Sequence, residues 1–278
     1  MVVQKGKKKE LQIPACAQAD AERFSALCAE ALLSPRSEGA NGVGTLQEKR
    51  MHAVIKRFLC EDPSCHEVGI ANTRYVADVR VGDAILEVQT GAFYPMQRKI
   101  AYYLEHTDCH VTVVHPIPAL RWVSWLDPES GECSPRRRSP VKGGPLHVLP
   151  KLYSLAPYLQ NPRFHLRLLF LEVQDLRLLC GWSRDRKRGS RLYERLPLAL
   201  LGELSLTRPA DYRELLPREL PERFPVKTFS EHTGLRGRDA YSAVRALCAL
   251  GVLEQVPSGG RSMLFARKEE SNASEGDI

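Results

Sequence analysis

The sequence predicts an α/β fold: an α/β/α sandwich with a mixed sheet, followed by a smaller C-terminal helical module. Three observations carry that expectation. An amphipathic helix over 45–59 is followed by three strand-like segments and a second amphipathic helix, the order of a sandwich and not of a bundle. The strand pair over 75–90 turns on Gly82-Asp83, a two-residue hairpin connection, so the sheet is not wholly parallel. After residue 205 the pattern changes to short helices and a glycine-turned hairpin.

Composition bounds the function classes. The 278 residues carry 40 Lys and Arg against 33 Asp and Glu, a net charge of +7, with 43% hydrophobic and 26% charged residues. Collagen-like and wholly disordered chains are excluded by these values. No apolar run reaches the roughly 18 residues of a membrane-spanning helix. The basic start (Lys5, Lys7, Lys8, Lys9) runs into Pro14 and polar residues and lacks the apolar core of a secretion signal, so a cytoplasmic protein without membrane contact is expected. Eight cysteines at irregular spacing then read as reduced thiols. Cys60, Cys65 and His66 come nearest to a zinc pattern but have no second pair at the right spacing.

Taken in order, residues 1–44 read as a flexible start, a short helix from Asp20 to Leu33, and a Ser-, Gly- and Pro-rich linker. Thr45 and Glu48 form a capping box for the helix over 45–59, whose apolar stripe is Met51, Val54, Ile55, Phe58 and Leu59. Strands are expected at 67–71, 75–81 and 84–90. A helix follows from Pro95 to Glu105, with Met96, Ile100, Tyr103 and Leu104 inward, and then two separate strands at 110–115 and 120–126. Together 45–144 make the sandwich domain, closed by a charged, proline-bearing loop. Residues 145–205 form a middle region of unclear fold, in which Leu166 to Leu179 fits helix and strand templates alike. The module spans 206–268, and 269–278 is a disordered acidic tail.

The chemistry concentrates at the hairpin. With Gly82-Asp83 as the turn, Val81 pairs with Ala84, and the same register sets Asp78 opposite Glu87. Ala77, Val79, Val81, Ala84, Leu86 and Val88 fall on one apolar face; Val76, Asp78, Arg80, Ile85, Glu87 and Gln89 fall on the other. Like charges directly opposite are destabilising. The pair therefore implies a wet surface with Arg80 as its local cation, or a divalent metal held through oxygen ligands. Glu48 sits on the inward stripe of the preceding helix and points a third carboxylate toward the sheet.

A helix with Glu, a strand with Asp, a next strand with Glu-x-Lys, then a helix is the plan of the PD-(D/E)XK nuclease superfamily, to which Holliday junction resolvases and restriction endonucleases belong. The chain resembles it over about residues 45–118 through Glu48, Ala77-Asp78-Val79 and Leu86-Glu87-Val88-Gln89-Thr90-Gly91. The resemblance implies a restriction-endonuclease-like fold and Mg²⁺ (or Mn²⁺). Its metal ligands would be Asp78, Glu87 and the Val88 carbonyl, with Glu48 as an accessory acid. It also implies a homodimer, because many members cut two strands as pairs. The chain departs from the pattern at the lysine, which is Gln89, and at the proline before the aspartate. Lys99 or Lys49 would then supply the missing positive charge from the side.

Basic clusters point to DNA as partner. Arg136, Arg137 and Arg138 with Lys142 form one cluster; Arg184, Arg186, Lys187, Arg188 and Arg191 form another. The C-terminal module reads as a winged helix. A capping box at Thr228 and Glu231 opens one helix, and Gly234 to Gly237 make the turn. The second helix, Arg238 to Leu250, has Tyr241, Val244, Leu247 and Cys248 inward and Gly251 as its stop, and a hairpin follows. Such a helix would offer Arg236, Arg238, Ser242 and Arg245 to the major groove, and the wing would offer Arg261. Trp122 and Trp125 read as core or hairpin packing, and His115 as structural. Walker A, Gly-x-Gly-x-x-Gly and Gly-x-Ser-x-Gly motifs are absent. The expected activity is metal-dependent DNA hydrolysis. The alternatives are a DNA-binding protein whose nuclease fold lost its chemistry at Gln89, and a protein-interaction adaptor.

Overall fold

A computed structural model describes residues 13–33, 46–70, 73–182, 188–258 and 263–268. The helices are α1 (Gln18–Leu33), α2 (Leu46–Leu59), α3 (Gln97–His106), α4 (Leu149–Leu152), α5 (Pro209–Arg213), α6 (Val226–Thr233) and α7 (Gly237–Ala249). The strands are β1 (His66–Gly69), β2 (Val76–Val81), β3 (Ala84–Val88), β4 (His110–Leu126), β5 (Arg137–Arg138), β6 (Phe164–Trp182), β7 (Arg188–Leu206), β8 (Arg223–Pro225), β9 (Leu253–Val256) and β10 (Leu264–Arg267). Among the described residues no helix is long and apolar enough to cross a membrane.

The chain forms two compact units. Among the described residues, one is made of those within 13–145 and 163–205; the other of those within 146–162 and 206–268. The region 145–205, which the sequence leaves without a fold, is thus divided between them.

The first unit is α/β with one large mixed sheet, in the order β1-β2-β3-β4-β6-β7, with β5 also on β4. β1–β2 and β2–β3 are antiparallel, whereas β3–β4 and β4–β6 are parallel. The hairpin register is the expected one: Val79 faces Leu86, Arg80 faces Ile85 and Val81 faces Ala84. Gly82 takes φ 58°, the backbone state that favours glycine at the first position of this turn.

Helices cover both faces. On one, Phe24 and Cys28 of α1 and Met51, Val54, Ile55 and Phe58 of α2 pack on Val88, Val114, Leu169, Leu171 and Val173. Phe24 meets Phe58 edge to face at 5.2 Å. On the other, α3 buries Ile100, Tyr103 and Leu104. The face that carries Glu87 is therefore covered, which overturns the wet-surface alternative there: Ile85 is fully buried and Glu87 is 2% exposed.

Two further expectations are corrected. The strands at 110–115 and 120–126 are one strand, β4, which passes through Pro116 and Pro118 with a register shift between Pro118 and Leu120. The irregularity absorbs prolines that would otherwise end a strand. The ambiguous run 166–179 is strand β6. Leu168, Leu169, Phe170 and Leu171 are all fully buried, so both faces are apolar at the middle of the strand and the alternation on either side is interrupted there. Cross-strand partners Arg167–Glu203 and Asp175–Arg195 advance on β6 as they recede on β7, the mark of an antiparallel pair.

In the second unit, α6 and α7 accompany a three-stranded antiparallel sheet, β8-β10-β9. The capping box at Thr228 and Glu231 does not form. α6 starts earlier, at Val226 behind Pro225, so Thr228 lies inside the helix. α7 buries Ala240, Ala243, Val244, Ala246 and Leu247, while Tyr241 faces solvent. The small alanines let α4 and the short helical turns at Tyr153–Tyr158 pack close against α7, and they take the inward place expected for Tyr241. Gly251 at φ 73° ends α7: its N–H donates to Cys248 O and that of Val252 to Leu247 O, a Schellman closure.

Candidate active site

The site forms where β2 and β3 part. Their ladder stops at Val79 and Leu86, one pair short of Asp78 and Glu87. One step on, the Val88 N–H donates to Asp78 Oδ2 at 2.8 Å, so the side chain takes over from the ladder. His52 reaches in from α2. Its Nε2 lies 3.1 Å from Asp78 Oδ2 and 3.2 Å from the Val88 carbonyl oxygen. A carboxylate and a carbonyl can only accept, so this nitrogen carries the proton.

Glu87 lies on the α3 side. Lys99 Nζ donates to its Oε2 at 2.6 Å, and Tyr103 OH to its Oε1 at 3.1 Å. Lys99 and Tyr103 are four apart on α3 and so share a face. Glu67 completes the group: His52, Glu67 and Asp78 each offer a ligand atom, all within 4.8 Å of one another. Lys56, one turn along α2 from His52, pairs with the Glu67 carboxylate. Glu67 has φ 52°, a strained state for a residue with a side chain.

The electrostatics separate the two acids. Burial is the largest influence on Asp78 and would raise it. The hydrogen bond and charge of His52, the Val88 N–H and Lys99 outweigh burial and hold Asp78 below the ordinary carboxylate value. Burial likewise opposes charge on His52, but Asp78 prevails and raises the imidazole. Glu87 goes the other way. Burial first, then the charge of Asp78, push it up to about 7 against the pull of Lys99 and Tyr103.

This donor set fits a divalent cation. Asp78 Oδ2 and the Val88 carbonyl converge on one proton donor, which marks a point where positive charge is favoured. Carboxylate and carbonyl oxygens suit Mg²⁺ and Mn²⁺, and an imidazole nearby favours Mn²⁺ of the two.

The family model for a domain of unknown function, DUF8091, matches residues 49–207, more than half of the chain. The chain belongs to the DUF8091 family. No curated protein and no solved structure matches it. The DUF8091 match contains His52, Glu67, Asp78, Glu87, Val88, Lys99 and Tyr103 and ends at the close of β7, before α5.

Within this DUF8091 protein, Asp78, Glu87, Val88 and Lys99 come together as a group. Gln89 does not join them. Its side chain donates to the Ala92 carbonyl, its N–H donates to Val114 O at 2.9 Å, and its carbonyl binds His115 Nδ1. The cation beside the acids is Lys99, not Arg80. The side chains of Glu48, Lys49 and Arg188, and residues Thr45, Arg184, Arg186, Lys187 and Arg261, lie outside the described residues. Arg136, Arg137 and Arg138 are exposed. Arg136 lies over Trp122 and Arg137 over Trp125, so these rings serve as platforms for arginines. In the second unit Arg236 and Arg238 are exposed and Ser242 and Arg245 half-buried.

Sequence reasoning missed His52, Glu67 and the hydroxyl role of Tyr103. His52 left a trace: it adjoins Met51 at the border of the α2 stripe, four residues after Glu48. Glu67 left none, because it comes from a separate strand, β1, whose register no spacing in the sequence sets.

Proposed function

We propose that this chain is a Mg²⁺- or Mn²⁺-dependent phosphodiesterase acting on DNA, with a restriction-endonuclease-like first unit of the PD-(D/E)XK kind and a winged-helix second unit. One observation carries the reading. Asp78, the Val88 carbonyl and Glu87 gather where β2 and β3 part, with the Lys99 ammonium 2.6 Å from Glu87. Asp78, the Val88 carbonyl and Glu87 would hold the cation, with His52 and Glu67 at hand. When bound, the cation polarises a phosphate oxygen and lowers the pKa of a coordinated water.

The chain's own groups do the rest. Asp78 stays ionised at neutral pH because His52 and the Val88 N–H stabilise its charge. Glu87, raised to about 7, can take and return a proton near neutrality. Lys99 brings the positive charge that Gln89 lacks and keeps Glu87 oriented. The α6–turn–α7 arrangement beside a three-stranded antiparallel sheet, with Arg236 and Arg238 exposed, supports the winged-helix reading and contact with duplex DNA.

A second reading, DNA binding without cleavage, is favoured by one observation: the Gln89 side chain is turned to Ala92 and away from the acids. Cleavage assays on single-stranded, duplex and branched DNA with Mg²⁺, Mn²⁺ or EDTA decide between them. Metal-dependent cutting that disappears in Asp78→Asn supports the phosphodiesterase. Salt-sensitive binding without cutting under any metal supports the second reading and sinks the first.

A further inference from the structure

β4 and β6 run on together well past the end of β3, to Leu126 and Leu178. There β5 takes up the edge of β4, with Val123 opposite Arg137 and Trp122 opposite Arg138. Paired residues share a face and successive residues alternate. One face of this extension therefore carries Arg121, Trp125, Asp175, Arg177 and Arg137, because Arg121 pairs with Val173, Val123 with Asp175 and Trp125 with Arg177. Arg136 lies over Trp122, and Arg138 is paired with it, on the other face. The run of three arginines is thus split between two faces.

The charges on the first face do not balance. Asp175, 3% exposed, is its central carboxylate, and Arg195 holds both oxygens at 2.6 and 2.8 Å. Arg121 Nε is left 3.7 Å from that carboxylate, beyond hydrogen-bond range, and is a buried donor with no hydrogen-bond partner. Arg177 donates to Ser190 Oγ and to its carbonyl, both at 2.9 Å, and not to an acid. Arg137 stacks 5.0 Å above Trp125, and among the described residues no carboxylate lies within ion-pair distance of it. Among the described residues this face thus carries four arginines, of which two, Arg195 and Arg121, lie within ion-pair distance of its one buried carboxylate. Burial first, then the charges of Arg195 and Arg177, draw Arg121 below its ordinary value against the pull of Asp175. An anion meeting the accessible parts of these arginines would offset the repulsion.

We propose that this face binds the sugar–phosphate backbone of nucleic acid, with Arg121, Arg137 and Arg177 as the phosphate donors and Asp175 as the residue that positions Arg195 and Arg121. The choice of nucleic acid over a free anion rests on the phosphodiesterase reading and on the spread of the donors. From β5 across β4 to β6, the strands that carry these donors, is two strand spacings, about 10 Å, which suits successive phosphates. Along β4, Arg121 lies seven residues past Val114, the partner of Val88, so the backbone track would begin about 20 Å from the candidate active site.

The test is binding of fluorescein-labelled oligonucleotides, single-stranded and duplex, to the full chain in EDTA, by anisotropy across a salt series. Arg121→Gln/Arg137→Gln/Arg177→Gln is expected to weaken binding at least about tenfold and to reduce the slope of log K against log salt by about 2 to 3. Arg137→Gln alone changes an exposed side chain, so its folding is secure, and should reduce the slope by about 0.7 to 0.9. Unchanged affinity and slope in both variants overturns the proposal. So does full competition by inorganic phosphate at constant ionic strength, which would mean a free-anion site. Arginine-dependent binding to phosphatidylserine vesicles with none to nucleic acid also overturns it. Cleavage by wild type and Asp78→Asn is read separately. Arginine variants that bind normally while Asp78→Asn stops cutting refute this face alone. Lost binding with no cutting under any metal refutes the phosphodiesterase alone.

Discussion

His52 Nε2 is bound at once to Asp78 Oδ2 and to the Val88 carbonyl, at 3.1 and 3.2 Å, so one helix residue bridges two strands where their ladder ends. It ties α2 to the hairpin through the atoms that would hold a cation. Metal binding and the His52 bridge therefore draw on the same oxygens, and metal affinity should depend on the state of the imidazole.

That bridge has a pH window. Asp78 is held below its ordinary value, so its contribution to stability is present above about pH 4 and fades as pH falls through its folded value. His52 is raised, so its contribution is full below about pH 6.5 and fades as pH rises through its folded value. Urea unfolding should show the largest gap between wild type and His52→Gln near pH 5, shrinking above neutrality. A gap that widens steadily toward pH 9 would contradict the pairing.

Glu87 has the opposite effect for a carboxyl. Its folded value is raised from 4.5 to about 7, so its contribution is complete below pH 4.5 and lost as pH climbs through 7. At 2% exposure the loss is on the order of 3 kcal/mol. Stability measured from pH 4.5 to 8 should decline in wild type and stay flatter in Glu87→Gln. Parallel curves would show that Glu87 titrates normally.

At pH 9, where Glu87 is ionised in wild type, Lys99→Met should leave it buried without its cation and cost about 3 kcal/mol. Adding Glu87→Gln to the same chain should recover most of that loss, because the stranded charge is gone. The double-mutant cycle measures the coupling directly. Additive losses would mean that the 2.6 Å contact carries no energy of its own.

Gly202→Ala tests the packing of the N-terminal segment. A Cβ there would stand 2.0 Å from the Pro14 carbonyl oxygen and 2.8 Å from Ile13 Cγ2. Neither the backbone atom nor its neighbour can yield without the segment lifting, so a loss of about 1–3 kcal/mol is expected by thermal melting. Limited proteolysis should nick the segment faster in the variant than in wild type.

Much of the sandwich was legible because its signals are local. The stripe Met51, Val54, Ile55 and Phe58 is the buried face of α2, and Gly82-Asp83 gives the hairpin register. Legibility failed where burial is two-sided or geometry is non-local. β6 is apolar on both faces over Leu168 to Leu171, which breaks its period. Pro116 and Pro118 look like strand breaks until a register shift beside β6 accommodates them. At the site, Asp78, Glu87 and Lys99 could be found from spacing, because each sits at a regular position on its element. Glu67 could not, since it joins His52 and Asp78 from a separate strand, β1, across which no spacing in the sequence sets a register. Gln89 matched the motif in position, yet its side chain is satisfied by the Ala92 carbonyl nearby.

The two units are interleaved in the chain. Leu149, Leu152 and Leu155 are fully buried within a unit whose other described residues, outside 146–162, begin at Leu206, although they lie inside the stretch 49–207 by which the family is recognised. A polypeptide excised at the family limits would keep those leucines and discard α7, the helix that α4 packs against. It would also discard Phe24 and Cys28 from the core over β4 and β6. Sequence homology and independent solubility therefore have different borders here. A well-behaved fragment of the sheet would start before α1 and carry a short polar bridge in place of 146–162.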